Sequence, residues 1–443
     1  MTSAVGAAPG FDLPAGAPLK GRHVAAVTAG NALEFYDFLT YAFFAAQIGR
    51  TFFPSTDPAT SLLASLATFG AGFLMRPVGA LTIGRMADRI GRKPAMLLSF
   101  TLMGVAMTGL ALTPGYRAIG VAAPILAILF RLIQGFALGG EIGPNTAYLI
   151  EAAPRHRRGL YVSFQYMSQD GAVLVAGLVG YALASVLSDA VLDAWGWRAA
   201  FLLGAVIVPF GLLLRRELVE TLPSHVAPAA GPTMTRRLAW LAALGIVMLA
   251  GGTTVGYVMN YLTTYATATL HMATNVGFLA TIFVGLTGVV TDPLGGWLSD
   301  RFGRKPTMII PWTVLLLTAL PGFFLLAHLR TTGALIGMTI ALTAAADIST
   351  ASVLVAVTET LPARVRAGSL GLIYAVAISI FGGSTQFTVA WLTKLTHSPL
   401  APAWYMTVWV AIALLAMLAL PETAPVRTTT EKGEGGQGRA SRR

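Results

Sequence analysis

The chain has 443 residues, of which 55% are hydrophobic and only 11% are Asp, Glu, Lys or Arg. A soluble domain carries roughly 25% charged residues, and the mean hydropathy of +0.70 agrees with this deficit, so a soluble enzyme or nucleic-acid-binding protein is excluded. The chain contains no cysteine, which excludes disulfide bonds, a thiolate nucleophile and a cysteine-ligated metal. We expect no cofactor.

The first 21 residues are rich in Ala, Gly and Pro and lack the charged and apolar regions of a signal peptide, so we interpret them as a disordered tail. Apolar stretches then follow one another, each long enough for a bilayer-spanning helix, which needs about 20 residues. We predict twelve spans, at residues 23–49, 59–84, 94–113, 122–150, 159–188, 197–214, 238–270, 274–299, 307–328, 333–359, 368–396 and 402–420.

The spans predict an all-α membrane protein of two six-helix bundles, residues 22–216 and 238–420. A linker with Pro, Ala and Gly, residues 217–237, joins the bundles, and residues 421–443 are polar and Gly-rich and form a second disordered tail. With a cytoplasmic N-terminus, cytoplasmic segments contain 23 of the 30 Lys and Arg residues, as the positive-inside rule requires. We therefore expect both termini in the cytoplasm and assign the net charge of +11 to topology and anionic lipid, not nucleic acid.

A loop sequence is repeated: residues 84–96 (GRMADRIGRKPAM) recur as residues 296–308 (GWLSDRFGRKPTM), with eight of thirteen positions identical. Both copies fall in short cytoplasmic loops, so the bundles are parallel duplicates, as in transporters that rock about a midplane site. In each copy a Gly permits a tight turn, and the Asp can meet a helix N-terminus. We predict gate loops formed by Asp88, Arg89, Arg92, Glu151, Asp300, Arg301, Arg304 and Glu359. The alternative is that these are ordinary loop charges.

The repeated Asp-Arg-x-Gly-Arg-Lys loop resembles the signature of the major facilitator superfamily. Within it the chain resembles metabolite–proton symporters, through residues 31–38 (NALEFYDF), 73–80 (FLMRPVGA), 131–141 (RLIQGFALGGE) and 195–198 (WGWR). Bacterial citrate–proton symporters are more similar still, through residues 50–54 (RTFFP), 114–124 (PGYRAIGVAAP), 380–383 (IFGG) and 394–396 (KLT). The resemblance implies a multi-pass transporter of the bacterial cytoplasmic membrane, with spans 1, 4, 7 and 10 lining the cavity.

Ionisable side chains inside a bilayer are costly and indicate function. Asp37 in span 1 and Arg131 in span 4 both fall near mid-membrane by helix rise, and they resemble the acid–arginine pair of proton-coupled sugar carriers in the superfamily. We predict that Arg131 keeps Asp37 ionised until a proton or an anion breaks the pair; a static ion pair is the alternative. Glu34 either shares the proton or fixes Asn31.

The remaining charges within spans lie on other helices. Arg76 in span 2 and Glu141 in span 4 lie about 12–15 Å from the inner surface, so we predict a structural ion pair in the inner leaflet. Asp170, Asp292 and Asp347, in spans 5, 8 and 10, complete the set of candidates.

Polar side chains on or beside the cavity-lining spans can hydrogen-bond carboxylates and hydroxyls, although each can equally bridge helices. The predicted substrate-binding residues are Arg131, Asn31, Tyr41, Gln134, Gln165, Gln169, Tyr257, Asn260, Tyr261 and Gln386, with Asn145 and Tyr265 as further candidates. Arg131 is the single central cation in this prediction, so a fully ionised tricarboxylate needs accompanying protons or a metal cation.

We therefore expect a monomeric secondary transporter that imports a tricarboxylate such as citrate with protons by alternating access. Other compatible substrates are a dicarboxylate, 2-oxoglutarate, shikimate, or a zwitterion such as betaine or proline. A drug-efflux antiporter is less well supported, because residues 171–181 (GAVLVAGLVGY) lack the Pro of the exporter motif on helix 5. An ATP-driven pump is excluded, since without a Gly-Lys dipeptide no Walker A loop can form.

Overall fold

The computed structural model describes residues 28, 31–32, 35–36, 38–90, 92–139, 153–216, 236–361 and 366–424. Within these residues every regular element is a helix. A helix suits so apolar a chain, because lipid offers no hydrogen-bond partner and a helix pairs its own backbone N–H and C=O groups. The predicted all-α class is confirmed.

The longer helices, numbered in chain order, are α1 (Ala45–Phe52), α2 (Pro58–Leu74), α3 (Arg76–Ile90), α4 (Arg92–Leu112), α5 (Ala122–Gly139), α6 (Arg158–Val186), α7 (Trp197–Arg216), α8 (Arg236–Asn260), α9 (Thr274–Phe302), α10 (Arg304–Leu329), α11 (Thr332–Thr360), α12 (Arg366–Ala377), α13 (Gly383–Thr396) and α14 (Ala401–Ala419). Residues 38–43 are also helical and lead into α1 through a turn at Phe44.

Nine helical stretches of the described residues are long and apolar enough to cross a bilayer. They fall on the predicted spans 2, 4, 5 and 7 to 12. Predicted span 3 contains the shorter apolar stretch Leu97–Leu112, and span 6 coincides with α7. Part of span 1 lies outside the described residues.

Large apolar side chains cover the outside of the helices. Val186 is 83% exposed, Leu74 69%, and Leu317 and Leu415 68% each. In water such a surface would be an aggregation site, whereas in a bilayer it faces the acyl chains. The exposure pattern is therefore that of a multi-pass membrane protein.

Prolines and π-helical turns interrupt several of the long helices. Pro293 lies inside α9, and Pro311 and Pro321 lie inside α10, where each removes a backbone donor. A π turn at Ile378–Gly382 lies between α12 and α13, so the predicted span 368–396 is one helical stretch with a π turn inside it. Such turns are frequent at functional sites, and Ile378 lines the central cavity.

Two helix pairs make the most extensive contacts between the first half of the chain and the second. Helix α6 packs along α9, and α2 packs on α13. Within the halves, α5 contacts α2, α3 and α4, while α11 contacts α9 and α10. The cavity described below lies between these two pairs.

The C-terminal residues 421–424, which the sequence placed in a disordered tail, pack against α10. The Glu422 carboxylate accepts hydrogen bonds from the backbone N–H groups of Arg304 and Lys305, both at 3.0 Å. A carboxylate at a helix N-terminus is favoured by the free N–H groups and the helix dipole, which explains the docking.

Candidate functional site

A cavity of about 150 Å³ lies between the two halves, with walls from α3, α6, α8, α10, α11 and α12. Its lining is mainly apolar and aromatic. Of the residues that the structure describes, three with charged side chains line it, namely Arg76, Asp170 and Asp347. A few charged groups in a mostly apolar concavity are typical of a small-molecule site.

Arg76, the first residue of α3, supplies the positive charge of the cavity. It is only 5% exposed, and its guanidinium lies 4.1 Å from the ring centre of Phe73 and 4.5 Å from that of Phe38. Its Nε and Nη2 atoms have no hydrogen-bond partner among the described residues. The guanidinium also has a hydrogen bond with Tyr257, but burying a cation with two donors left unpaired is costly, so these nitrogens are suited to an anionic ligand.

Three aspartates form an acidic cluster beside the cavity, namely Asp170 on α6, Asp292 on α9 and Asp347 on α11. One carboxylate oxygen of each lies within 4.8 Å of the others. Asp292 is 1% exposed, and neither of its oxygens has a hydrogen-bond partner among the described residues. The cluster joins the two halves, because α6 belongs to the first half and α9 and α11 to the second.

Electrostatic repulsion limits the charge that this acidic cluster can hold. Two ionised carboxylates with oxygens no more than 4.8 Å apart repel each other by roughly 3.5 kcal/mol or more at an effective dielectric constant of about 20. Three ionised carboxylates involve three such pairs, or roughly 10 kcal/mol. A bound proton or cation relieves most of this repulsion, so the cluster is a site for one or the other.

The structure divides the predicted substrate-binding residues into two groups. Gln169, Tyr257 and Asn260 line the cavity. The described residues that do not line it are Arg131, Asn31, Tyr41, Gln134, Gln165, Tyr261, Tyr265 and Gln386. Two of these hold other elements in place instead: Asn31 donates to Ser168 Oγ of α6 at 2.8 Å, and Tyr265 donates to the carbonyl of Pro399, in the turn before α14, at 2.7 Å.

Arg131, predicted as the central anion anchor, is enclosed by aromatic rings. Its guanidinium carbon lies 4.4, 4.5 and 4.9 Å from the ring centres of Phe38, Tyr41 and Phe69. It also donates to Gln134 Oε1 at 2.6 Å, and its side chain is fully buried. Arg76 lines the cavity, and Arg131 does not.

Several predicted residues lie outside the described residues. These are Glu34, Asp37, Glu141, Asn145 and Glu151, together with the side chains of Asp88, Arg89 and Arg92. The pairs Asp37–Arg131 and Arg76–Glu141 therefore stay predictions.

The second copy of the loop repeat forms an ion cluster that joins the halves. Asp300 at the end of α9 accepts hydrogen bonds from the backbone N–H groups of Gly159 and Leu160, both at 2.9 Å, in the first turn of α6. Arg304 binds Asp300 at 2.7 Å and Glu359 at 3.3 Å. Gly303 has a positive φ of 104°, the conformation that a tight turn demands of glycine. The predicted gate residue Arg301 lies apart, over the rings of Trp297 and Phe302.

A further contact between the halves lies at the N-terminal end of α2, where this helix packs on α13. The Lys394 ammonium group of α13 binds Asp57 Oδ2 at 2.6 Å and Thr60 Oγ1 at 2.9 Å. The hydrogen bond from Lys394 is the main reason that the pKa of Asp57 is lowered to about 2. This pair was not predicted from the sequence.

Comparison with known families decides the class of this helical protein. The family model of the Major Facilitator Superfamily matches residues 28–384, which is most of the chain. The chain belongs to the major facilitator superfamily. It is a membrane transporter, not an enzyme.

Individual members of the superfamily are similar over nearly the whole chain. A citrate-proton symporter of Klebsiella pneumoniae is 35% identical over 413 residues, covering 92% of this chain and 93% of that protein. An alpha-ketoglutarate permease of Escherichia coli (strain K12) is 36% identical over 405 residues, covering 90% and 93%. The crystal structure of a D-xylose-proton symporter superimposes with a TM-score of 0.73 at 19% identity, covering 91% of this chain and 97% of that one. The predicted resemblance to citrate–proton symporters is confirmed, and the xylose symporter shows the shared fold.

Proposed function

We propose that this transporter imports a tricarboxylate such as citrate together with protons. The observation that carries the proposal is a single cavity with a buried guanidinium, Arg76, and two carboxylates, Asp170 and Asp347. A guanidinium matches the geometry of a carboxylate and can bind it through two parallel hydrogen bonds. The acids supply groups that can take up protons in the same space.

Charge balance links the two ligands. Ionised Asp170 and Asp347 repel an anion that approaches Arg76, and protonation of these acids removes that repulsion. Each ligand therefore increases the affinity for the other by the same factor, as thermodynamic linkage requires. This reciprocal effect is the thermodynamic basis of symport.

The proposal includes a topology and a place in the cell. Twelve spans with both termini in the cytoplasm accord with the distribution of Lys and Arg, and the two bundles, residues 22–216 and 238–420, rock about the cavity in alternating access. The names of the similar proteins, a citrate-proton symporter and an alpha-ketoglutarate permease, favour an organic acid. The proposed location is the bacterial cytoplasmic membrane, with the monomer as the transporting unit.

A zwitterion such as betaine is the second candidate, and the composition of the cavity wall favours it over a drug. Arg76 suits a carboxylate, while the rings of Tyr166, Tyr257 and Trp312 suit a quaternary ammonium group through cation–π contacts. A tricarboxylate and a zwitterion differ in net charge, so a transport assay separates them.

The test is uptake of labelled citrate into proteoliposomes with an imposed pH gradient, acidic outside. We expect accumulation that a protonophore abolishes and that unlabelled 2-oxoglutarate, shikimate, betaine or proline inhibits less than citrate does. Accumulation unaffected by the protonophore contradicts proton coupling. Inhibition that is strongest with betaine or proline contradicts the tricarboxylate and favours the zwitterion.

A further inference from the structure

We propose that Asp170, Asp292 and Asp347 form the proton-binding site that couples transport to the proton gradient. The proposal rests on the proposed proton symport and names the groups that would carry the proton. The sequence assigned that role to Asp37 and Glu34. Asp37 and Glu34 lie outside the described residues, whereas the cluster is described and joins three helices across the boundary between the halves.

The packing of α6 against α9 places the Asp170 carboxylate in the cluster. A methyl group on Gly288 of α9 would overlap Oδ2 of Asp170, so the absence of a side chain at position 288 is what admits this carboxylate. The Asp170 side chain of the first half thus packs directly against the backbone of α9, in the second half, at Gly288.

A second observation separates this cluster from ordinary groups of surface acids. Asp292 is 99% buried, and both its oxygens lack a hydrogen-bond partner among the described residues. Oδ2 of Asp347 is also buried and has no hydrogen-bond partner among the described residues. Buried polar atoms are nearly always hydrogen-bonded, so these oxygens require a ligand. A proton shared between two carboxylates provides the missing hydrogen bond.

The other ionisable groups of the described cavity wall are three tyrosines and one arginine, from four helices. Tyr166 belongs to α6, Tyr257 to α8 and Tyr374 to α12. Arg76, on α3, is the single cation of that wall. Its Nε and Nη2 atoms bind none of the three aspartates, and the proposed role of Arg76 is to bind the substrate anion.

A proton fits this site better than a divalent metal ion. Calcium takes about six to eight oxygen ligands, and magnesium requires a near-octahedral set. The cluster supplies three carboxylates, which are fewer ligands than either metal ion requires. Protons need no further ligand, because a protonated carboxyl group donates a hydrogen bond to a neighbouring carboxylate.

The location of the site connects protonation to conformation. Since Asp170 lies in one half and Asp292 and Asp347 lie in the other, loss of the protons restores repulsion across the boundary. The protonated cluster therefore favours close packing of α6 on α9 and α11, and the deprotonated cluster favours separation. Protons shift the equilibrium because they bind the two states with different affinity.

Infrared spectroscopy tests proton binding without any substrate. The purified wild-type protein, titrated with acid and base in lipid nanodiscs, should show a carbonyl-stretch band of protonated carboxylic acid that appears and disappears with pH. Asp292→Asn should lose or shift this band, with Asp347→Asn as the second variant if Asp292→Asn does not fold. Asp193→Asn, which removes an acid paired with Arg50 at the surface, is the matched control and should leave the band unchanged. Identical bands in wild type, Asp292→Asn and Asp347→Asn would overturn the proposal.

Transport and metal addition complete the test. Asp292→Asn should retain citrate exchange across equal concentrations but lose pH-driven accumulation by at least about tenfold, a factor worth about 1.4 kcal/mol. Accumulation at the wild-type level would overturn the proposal. So would a thermal stabilisation by Ca²⁺ or Mg²⁺ alone that occurs in wild type and not in Asp292→Asn, because the site would then bind a metal. The infrared result does not depend on citrate, so failure of the substrate assignment is distinguishable from failure of the proton site.

Discussion

Replacing Arg76 should separate substrate binding from stability. The guanidinium lies in the cavity wall, 95% buried and stacked on Phe73 and Phe38 at 4.1 and 4.5 Å. Two of its nitrogens have no partner among the described residues. In the proposed complex a substrate carboxylate binds these nitrogens, so Arg76→Met removes the contact and keeps a side chain of similar length.

The expected loss follows from the burial of this contact. Truncating one partner of a buried, hydrogen-bonded charge pair costs about 2–5 kcal/mol, which corresponds to a Kd for citrate about 30- to 4,000-fold higher. Arg76→Lys keeps the charge but loses both the planar stacking and the two-pronged geometry, so it should also weaken binding by at least about tenfold. The stability should not fall in parallel, because burying a charged guanidinium with two donors unpaired opposes the stabilisation from its ring contacts in the empty protein.

Calorimetric titration with citrate and thermal unfolding in the same detergent measure the two quantities. Arg117→Met, at an exposed arginine, is the control and should change neither. Arg131→Met gives the opposite pattern, because Arg131 packs on three rings and on Gln134, so its melting temperature should fall. Citrate affinity within about threefold of wild type in Arg76→Met would refute the role of Arg76 as anchor.

Three further predictions concern contacts between the halves. Asp57→Asn should speed labelling, from the side of Lys394, of a cysteine introduced into the cavity wall. Because the pKa of Asp57 is lowered to about 2, the wild-type pair is intact above about pH 4 and is lost only as the pH falls toward 2. The pH profile of uptake near neutrality should therefore be the same in this variant as in wild type, and a shifted profile would contradict this assignment. Asp300→Asn weakens the hydrogen bonds to the first turn of α6 and the ion pair with Arg304. Labelling of the introduced cavity cysteine from the side of Asp300 should therefore rise several-fold, and unchanged labelling would argue against a gate. Gly288→Ala should reduce uptake by at least about tenfold, while Gly337→Ala, which has open space around it, should not, and equal uptake in both would contradict the close approach.

Much of the fold could be predicted from the sequence, because the length of each apolar stretch and the positions of Lys and Arg can be read along the chain without knowledge of tertiary contacts. The repeated loop also predicted charged groups that could pair, and in the structure Arg304 pairs with Asp300 and Glu359. For Gly303 the predicted tight turn is present. These features are local or follow from duplication.

The site was harder to predict because it depends on helix rotation and on which helices are neighbours. Helix rise gives depth: counted from the helix ends near the repeated loops, Asp170, Asp292 and Asp347 lie at similar depths, about 15–20 Å. That equality was a usable signal for the acidic cluster, but depth alone does not show that three helices face one another. Arg76 was assigned to the inner leaflet for the same reason, although it lines the cavity.

The Arg131 prediction shows the limit of reasoning by depth and resemblance. Its central position was inferred from the same helix rise, and the side chain is indeed fully buried. Depth does not distinguish a helix face that packs on Phe38, Tyr41 and Phe69 from one that faces the cavity. Tertiary packing decides this, and it is set by the aromatic side chains of residues 38–43 and α2.

Simultaneous measurement of citrate flux and internal pH tests the central claim most directly. Proteoliposomes that contain a pH-sensitive dye are given an inward citrate gradient at equal pH on both sides, with the membrane potential clamped. Proton symport predicts acidification of the lumen that follows citrate entry and is lost in Asp292→Asn. Citrate entry by the wild-type protein without acidification would contradict proton-coupled import.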